Sequence, residues 1–178
     1  MSKLELGATT PHPQLLPGNP LQNMLRIDYY QHAPEFITKM RHITQELRLF
    51  NLDDKLRVLV EVRVSQLNGC VYCTDLHIKE ARKLGESQQR LDTLPVWHES
   101  PFFDAHEKAA LALAESLTHI SNTHAADIEF NALKTYFSDQ EIVELSASIS
   151  LANFWNRMAG GFRRMPEPDN IQRTGTLS

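Results

Sequence analysis

The chain has 178 residues, 42% of them hydrophobic, and a formal net charge of −4 with its eight histidines taken as neutral. That length and composition suit one globular domain with a sizeable core, and no cluster of Lys and Arg interleaved with aromatics is present to track a phosphate backbone, which excludes nucleic acid as an expected partner. The chain does not open on a basic stretch and an apolar h-region, and no run of about 18 apolar residues could span a bilayer, so the expectation is a soluble, cytoplasmic protein without a membrane partner.

Residues 1–22 contain Pro11, Pro13, Pro17 and Pro20. Each lacks an amide donor and disfavours helix at the residue before it, which predicts an extended N-terminal arm. Residues 23–165 read as one helical domain, followed by a polar tail over 166–178. Within the domain, Phe36, Met40, Ile43 and Leu47 recur at helical spacing and predict a first helix over about 34–49. A second is expected from Asp53 or Asp54, whose carboxylates suit the positive end of the helix dipole, and carries Leu56, Leu59, Val60, Arg63 and Leu67 to a stop at Asn68-Gly69. A third runs from about Cys70 to Leu84, with Gly85 as a left-handed cap.

A short helix around Ser87 to Leu94 and a loop over Pro95 to Phe103 follow. Asp104-x-x-Glu107 then reads as a capping box opening a helix to about Ile120 with Ala110, Leu113, Ala114 and Leu117 on its core stripe. Two more helices are expected at about 125–137 and 139–159, the last opened by Ser138-x-x-Glu141 and closed by Gly160-Gly161. No strand alternation emerges, so the fold class is all-α with six or seven helices. The final helix carries Ile142, Val143, Leu145, Ile149, Leu151, Phe154, Trp155 and Met158 around much of its circumference, more than one face can bury, which points to a second copy of the chain as a partner.

The only two cysteines, Cys70 and Cys73, lie too close to staple distant parts of a fold, and in a reducing compartment such a pair serves catalysis or metal binding. With His77 they fall on one helical line, three and four residues apart. The start of a helix favours thiolate over thiol, most of all at Cys70, and the imidazole at i+4 can take a proton from Cys73. Three readings of the local pattern remain: a reactive dithiol; zinc, for which C-x-x-C-x-x-x-H supplies three ligands where structural zinc uses four, with His98, His106, His119 or His124 as the fourth; and plain packing. Glu61 either serves this line or pairs with a neighbouring arginine such as Arg57. Trp97, Phe102 and Phe103 either roof an apolar pocket or pack in the core.

The stretch Glu61-Val-Arg-Val-Ser-Gln-Leu-Asn-Gly-Cys70-Val-Tyr-Cys73-Thr-Asp-Leu-His77-Ile-Lys-Glu-Ala81 closely resembles the C-x-x-C branch of the AhpD-like alkylhydroperoxidase and carboxymuconolactone decarboxylase superfamily. The resemblance continues through Arg90-Leu91, the run Trp97 to Thr118 and Asn153-x-Trp155-Asn156-Arg157, about 125 residues in all. It implies an AhpD-like helical domain, a trimer or hexamer, no cofactor and no metal. The implied activity is a thiol-dependent peroxidase acting on a hydroperoxide substrate and reset by an external dithiol reductant protein. Carried onto this chain, Cys73 is the peroxidatic thiolate, Cys70 the resolving thiol, His77 the base toward Cys73 and Glu61 the residue that orients His77. In the best-known AhpD proteins the relay glutamate stands one helical turn earlier, where this chain has Val58; a three-residue step keeps the same face. The same dithiol would serve a redox sensor or disulfide reductase equally well. The decarboxylase branch, which works on a lactone acid, does not depend on a cysteine pair.

Overall fold

Nine α-helices, and no strand, make up residues 25–168, the part of the chain that this computed structural model describes. They are α1 (Tyr29–His32), α2 (Pro34–Glu46), α3 (Asp54–Leu67), α4 (Val71–Lys83), α5 (Gln88–Thr93), α6 (Ala105–Thr118), α7 (Ile120–Thr123), α8 (Asp127–Leu133) and α9 (Asp139–Gly161), with 3₁₀ turns at Leu47–Leu49 and Leu94–Val96. The extended arm expected over 1–22 lies outside the described residues, as does most of the polar tail.

The seven helices read from the sequence are all present. Asp53 accepts from the amides of Lys55 and Leu56 at the start of α3, and reciprocal capping boxes close on Asp104 with Glu107 and on Ser138 with Glu141. The two additions, α1 and α7, are four residues each, too short to carry a helical period.

Helix α3 is the axis of the domain and packs on α4, α6 and α9. The sequence suggests an amphipathic helix, but Leu56 to Val62 is buried without interruption, together with Val64 and Ser65. A helix enclosed on every side has no polar stripe, which is why β-branched valines, modest helix formers, are retained there: each fully buried side chain of that size contributes about 1.5–3 kcal/mol, well above its propensity cost of a few tenths. Arg57 and Glu61 are buried within this run and must therefore be paired.

Two turns set the chemistry in place. At the end of α3, Gly69 adopts φ +63°, a left-handed conformation that costs glycine little, and the amide of Cys70 donates to the Ser65 carbonyl at 3.0 Å. The Asn68 side-chain amide donates to the Val64 carbonyl and to Asn153 and Asn156 of α9, pinning this reversal to the last helix. At the other end of the chain, the Arg26 amide donates to the Phe162 carbonyl at 2.9 Å and the ring of Tyr29 packs on Phe162, so the segment before α1 lies beside the C-terminal end of α9.

Candidate active site

Cys70 is the N-cap of α4, and its sulfur accepts from the amide of Cys73 at 3.2 Å, taking the place of the usual oxygen cap. Cys73 lies inside the first turn. The two are joined as a disulfide, with Cα atoms 5.4 Å apart, and both are 3% exposed. They differ in what they face. Cys73 lines a cavity of about 470 Å³ with His77, Glu61 and Glu80, whereas Cys70 is not on its wall and packs among Cys73, Tyr72 and Ala159.

The carboxylates and the imidazole form one charged cluster. Arg57 donates to both oxygens of Glu61 at 3.0 and 3.1 Å, to Asp54 at 2.9 Å and to Glu80 at 3.4 Å. Arg48 reaches Glu80 at 3.1 Å. Nδ1 of His77 lies 3.2 Å from Glu61 and 3.8 Å from Glu80, within ion-pair range of both carboxylates. Burial disfavours the charged imidazole, but the two carboxylates more than reverse this and raise its pKa to about 9. Contact with His77 pulls Glu80 down to about 2, against burial and with help from Arg48 and Arg57. At neutral pH the ring is an imidazolium held by two anions, and these by two guanidinium groups.

Of the four site residues read from the sequence, Cys73, His77 and Glu61 meet at the cavity, and Cys70 stands behind Cys73 as its bonded partner. Glu61 is both the partner of Arg57 and the neighbour of His77, so its two expected roles coincide. Glu80 was missed, although its i+3 spacing from His77 on the same helix is a usable signal. Tyr29, Tyr30 and Arg164 reach the cavity from the two ends of the described chain, where nothing local marks them.

Of the two readings of Trp97, Phe102 and Phe103, packing holds for Trp97 and Phe103, and none of the three lines this cavity. Trp97 and Phe103 belong to the core around α3, with the indole donating to Glu115 at 2.7 Å, and Phe102 is exposed. Trp155 is the aromatic of the expected motif that does line it, donating to Thr44 at 2.9 Å, while Asn153 and Arg157 bond each other and support Asn68.

Among the described residues no metal-like grouping includes Cys70 or Cys73, which are joined to each other. Glu61, His77 and Glu80 have ligand atoms within 4.8 Å of one another and are the one metal-like grouping among the described residues. Arg57 already supplies the positive charge there, and the raised pKa of His77 opposes metal ligation, which needs the neutral ring.

Comparison with known proteins gives the chain a family. The carboxymuconolactone decarboxylase family pattern matches residues 34–116, which include both cysteines, His77, Glu61 and Glu80. The uncharacterized protein YdfG of Bacillus subtilis is 35% identical over 134 residues, covering 75% of this chain and 91% of the relative. A solved Agrobacterium tumefaciens protein of unknown function, placed provisionally with the antioxidant defence protein AhpD, is 35% identical with a TM-score of 0.80, over 82% of this chain and 99% of that one. The debrominase Bmp8 shares the fold, with a TM-score of 0.68 at 20% identity over 83% of this chain and 76% of that one. The chain therefore belongs to the carboxymuconolactone decarboxylase family and has the all-α fold of its AhpD-like members.

Proposed function

We propose that the chain is a thiol-dependent peroxidase in which Cys73 is oxidised by a hydroperoxide and Cys70 resolves the product. The observation that carries this reading is the unequal placement of the two sulfurs: Cys73 shares a cavity with a charged imidazole, and Cys70 is held against it as a cap. In the reduced protein the Cys73 thiolate attacks the outer peroxide oxygen, the O–O bond breaks, and the leaving alkoxide takes a proton from His77, giving Cys73 sulfenic acid and an alcohol. The Cys70 thiol then displaces hydroxide, which leaves as water with the thiol proton, and the disulfide forms. An external dithiol reduces it by exchange. The proton expected to pass from Cys73 to His77 is already on the ring at neutral pH, so His77 acts as the stored acid and Glu61 as its anchor.

Thiol titration with one equivalent of hydroperoxide tests this. Two thiols per chain are expected to vanish for each peroxide consumed, and dithiothreitol to restore both; persistence of the peroxide with both thiols intact would overturn the reading and leave disulfide exchange as the use of the pair.

The assembly belongs to the same proposal, and its argument rests on α9 and α2 together. Of the apolar side chains named on α9, Ile142, Leu145 and Ile149 are buried by the chain itself, Leu151, Phe154, Trp155 and Met158 are half-buried and Val143 is exposed, and Phe36 and Ile43 stand about half exposed on α2. Light scattering is expected to give a multiple of the 20.3 kDa chain mass, and a mass of one chain would remove the oligomer.

A further inference from the structure

The cavity wall carries more positive charge than its own carboxylates balance. Arg57 and Arg48 are engaged with Glu61, Glu80 and Asp54. Two further arginines line the same cavity, Arg41 from α2 and Arg164 from the segment after α9, and neither has a carboxylate partner among the described residues. Arg164 is the deeper of the two. Its guanidinium sits 4.7 Å from the ring centres of both Tyr30 and Tyr72, and its Nε is buried without a hydrogen-bond partner. Its guanidinium also bonds Tyr72, and a charged group that lines a cavity without a carboxylate partner is open to a ligand acceptor at the edge facing that cavity.

The backbone brings it there by an unusual route. Helix α9 ends with the Arg164 amide donating to the Ala159 carbonyl at 2.8 Å and Arg163 in the left-handed region at φ +56°, the position where glycine is normally found. A non-glycine residue is strained there. The turn directs Arg164 back over the tyrosines and into the cavity, where Tyr29, Trp155 and Leu76 supply apolar walls.

We infer that the cavity of Cys73 selects an organic substrate with a flat apolar body and a carboxylate, the carboxylate accepting from the Arg164 guanidinium and drawn in by Arg41 at the mouth. A guanidinium edge offers two parallel donors that match a carboxylate, and its stacking between rings fixes their direction. This rests on the peroxidase reading only for the reacting group: the substrate class is then a carboxylate-bearing hydroperoxide rather than hydrogen peroxide or a neutral alkyl hydroperoxide.

The test separates binding from chemistry. Calorimetry on the full-length disulfide form compares 4-isopropylbenzoate with its neutral isostere 4-isopropylbenzamide, and consumption of the carboxylated hydroperoxide 4-(2-hydroperoxypropan-2-yl)benzoate by the reduced protein is followed in parallel. The benzoate is expected to bind at least about tenfold more tightly, Arg164→Gln to bring the two ligands level, and Arg164→Lys to keep part of the preference. Equal binding of the two ligands by the wild type, or an undiminished preference in folded Arg164→Gln, overturns the anion site and assigns Arg164 to tying Tyr30 to Tyr72. If Arg164→Gln does not fold, the wild-type ratio and Arg41→Gln decide, since Arg41 is exposed and its loss should cut the ratio about threefold; an unchanged ratio in that variant overturns the proposal. Carboxylate preference without peroxide consumption keeps the site and removes the peroxidase; consumption without preference does the opposite.

Discussion

Cys73→Ser is expected to abolish hydroperoxide consumption, while Cys70→Ser still permits one reaction per chain and leaves a trappable sulfenic acid on Cys73. Two fields compete for the thiolate. The helix end favours Cys70, whose sulfur accepts the Cys73 amide in the cap position, and the imidazolium of His77 favours Cys73. Access decides between them, because a peroxide entering the cavity meets Cys73 and not Cys70. Serine at position 70 is a strong N-cap in its own right, so the helix start survives and the variant reports on chemistry rather than folding. Mass spectrometry after trapping with a sulfenic-acid-selective diketone locates the oxidised sulfur. Trapping on Cys70 in the Cys73→Ser protein, with a silent Cys70→Ser protein, would reverse the two roles and show that the helix end outweighs the histidine.

The helix ends were legible because the signals there are local. Asp53, Asp104 and Ser138 are each followed by the amides they cap, and Gly85, at φ +87°, stands where the end of α4 needs a left-handed residue. The enclosure of α3 was not legible. Its leucines, valines, arginine and glutamate look amphipathic in sequence, and only the packing of α4, α6 and α9 around it shows that the arginine and glutamate are buried as well.

The same distinction separates what was visible of the site. Cys70, Cys73 and His77 belong to one helix, so spacing places them. Glu61 lies on a different helix, and its approach to His77 depends on how α3 and α4 pack. Tyr29 and Tyr30 stand forty or more positions before the cysteines and Arg164 more than ninety after them, in segments without periodicity. For Trp97 and Phe103 the sequence leaves two readings open, since an aromatic cluster looks alike whether it faces a ligand or a core, and here the core around α3 takes both.

The stability of the oxidised protein is expected to fall as pH rises from about 6.5 to 9. His77 is raised in the folded state to about 9 from an ordinary value of 6.5, so the folded chain binds a proton that the unfolded chain releases across that window. The contribution is fully present below 6.5, shrinks as pH climbs, and is gone above the folded pKa. Two and a half pKa units correspond to roughly 3 kcal/mol, a large share of the stability of a domain this size. The lowered pKa of Glu80 is the same contact seen from the other partner, present above its ordinary 4.5 and lost toward 2, and is not added to it. Urea unfolding of the disulfide form at several pH values between 6 and 9.5 reads the slope directly. His77→Gln should flatten the profile across that window, and Glu61→Gln and Glu80→Gln should each flatten it in part, because each removes one of the two carboxylates that hold the ring charged. A wild-type profile as flat as that of His77→Gln would mean that the ring is neutral in the folded protein, and the stored-acid role assigned to His77 would fall with it.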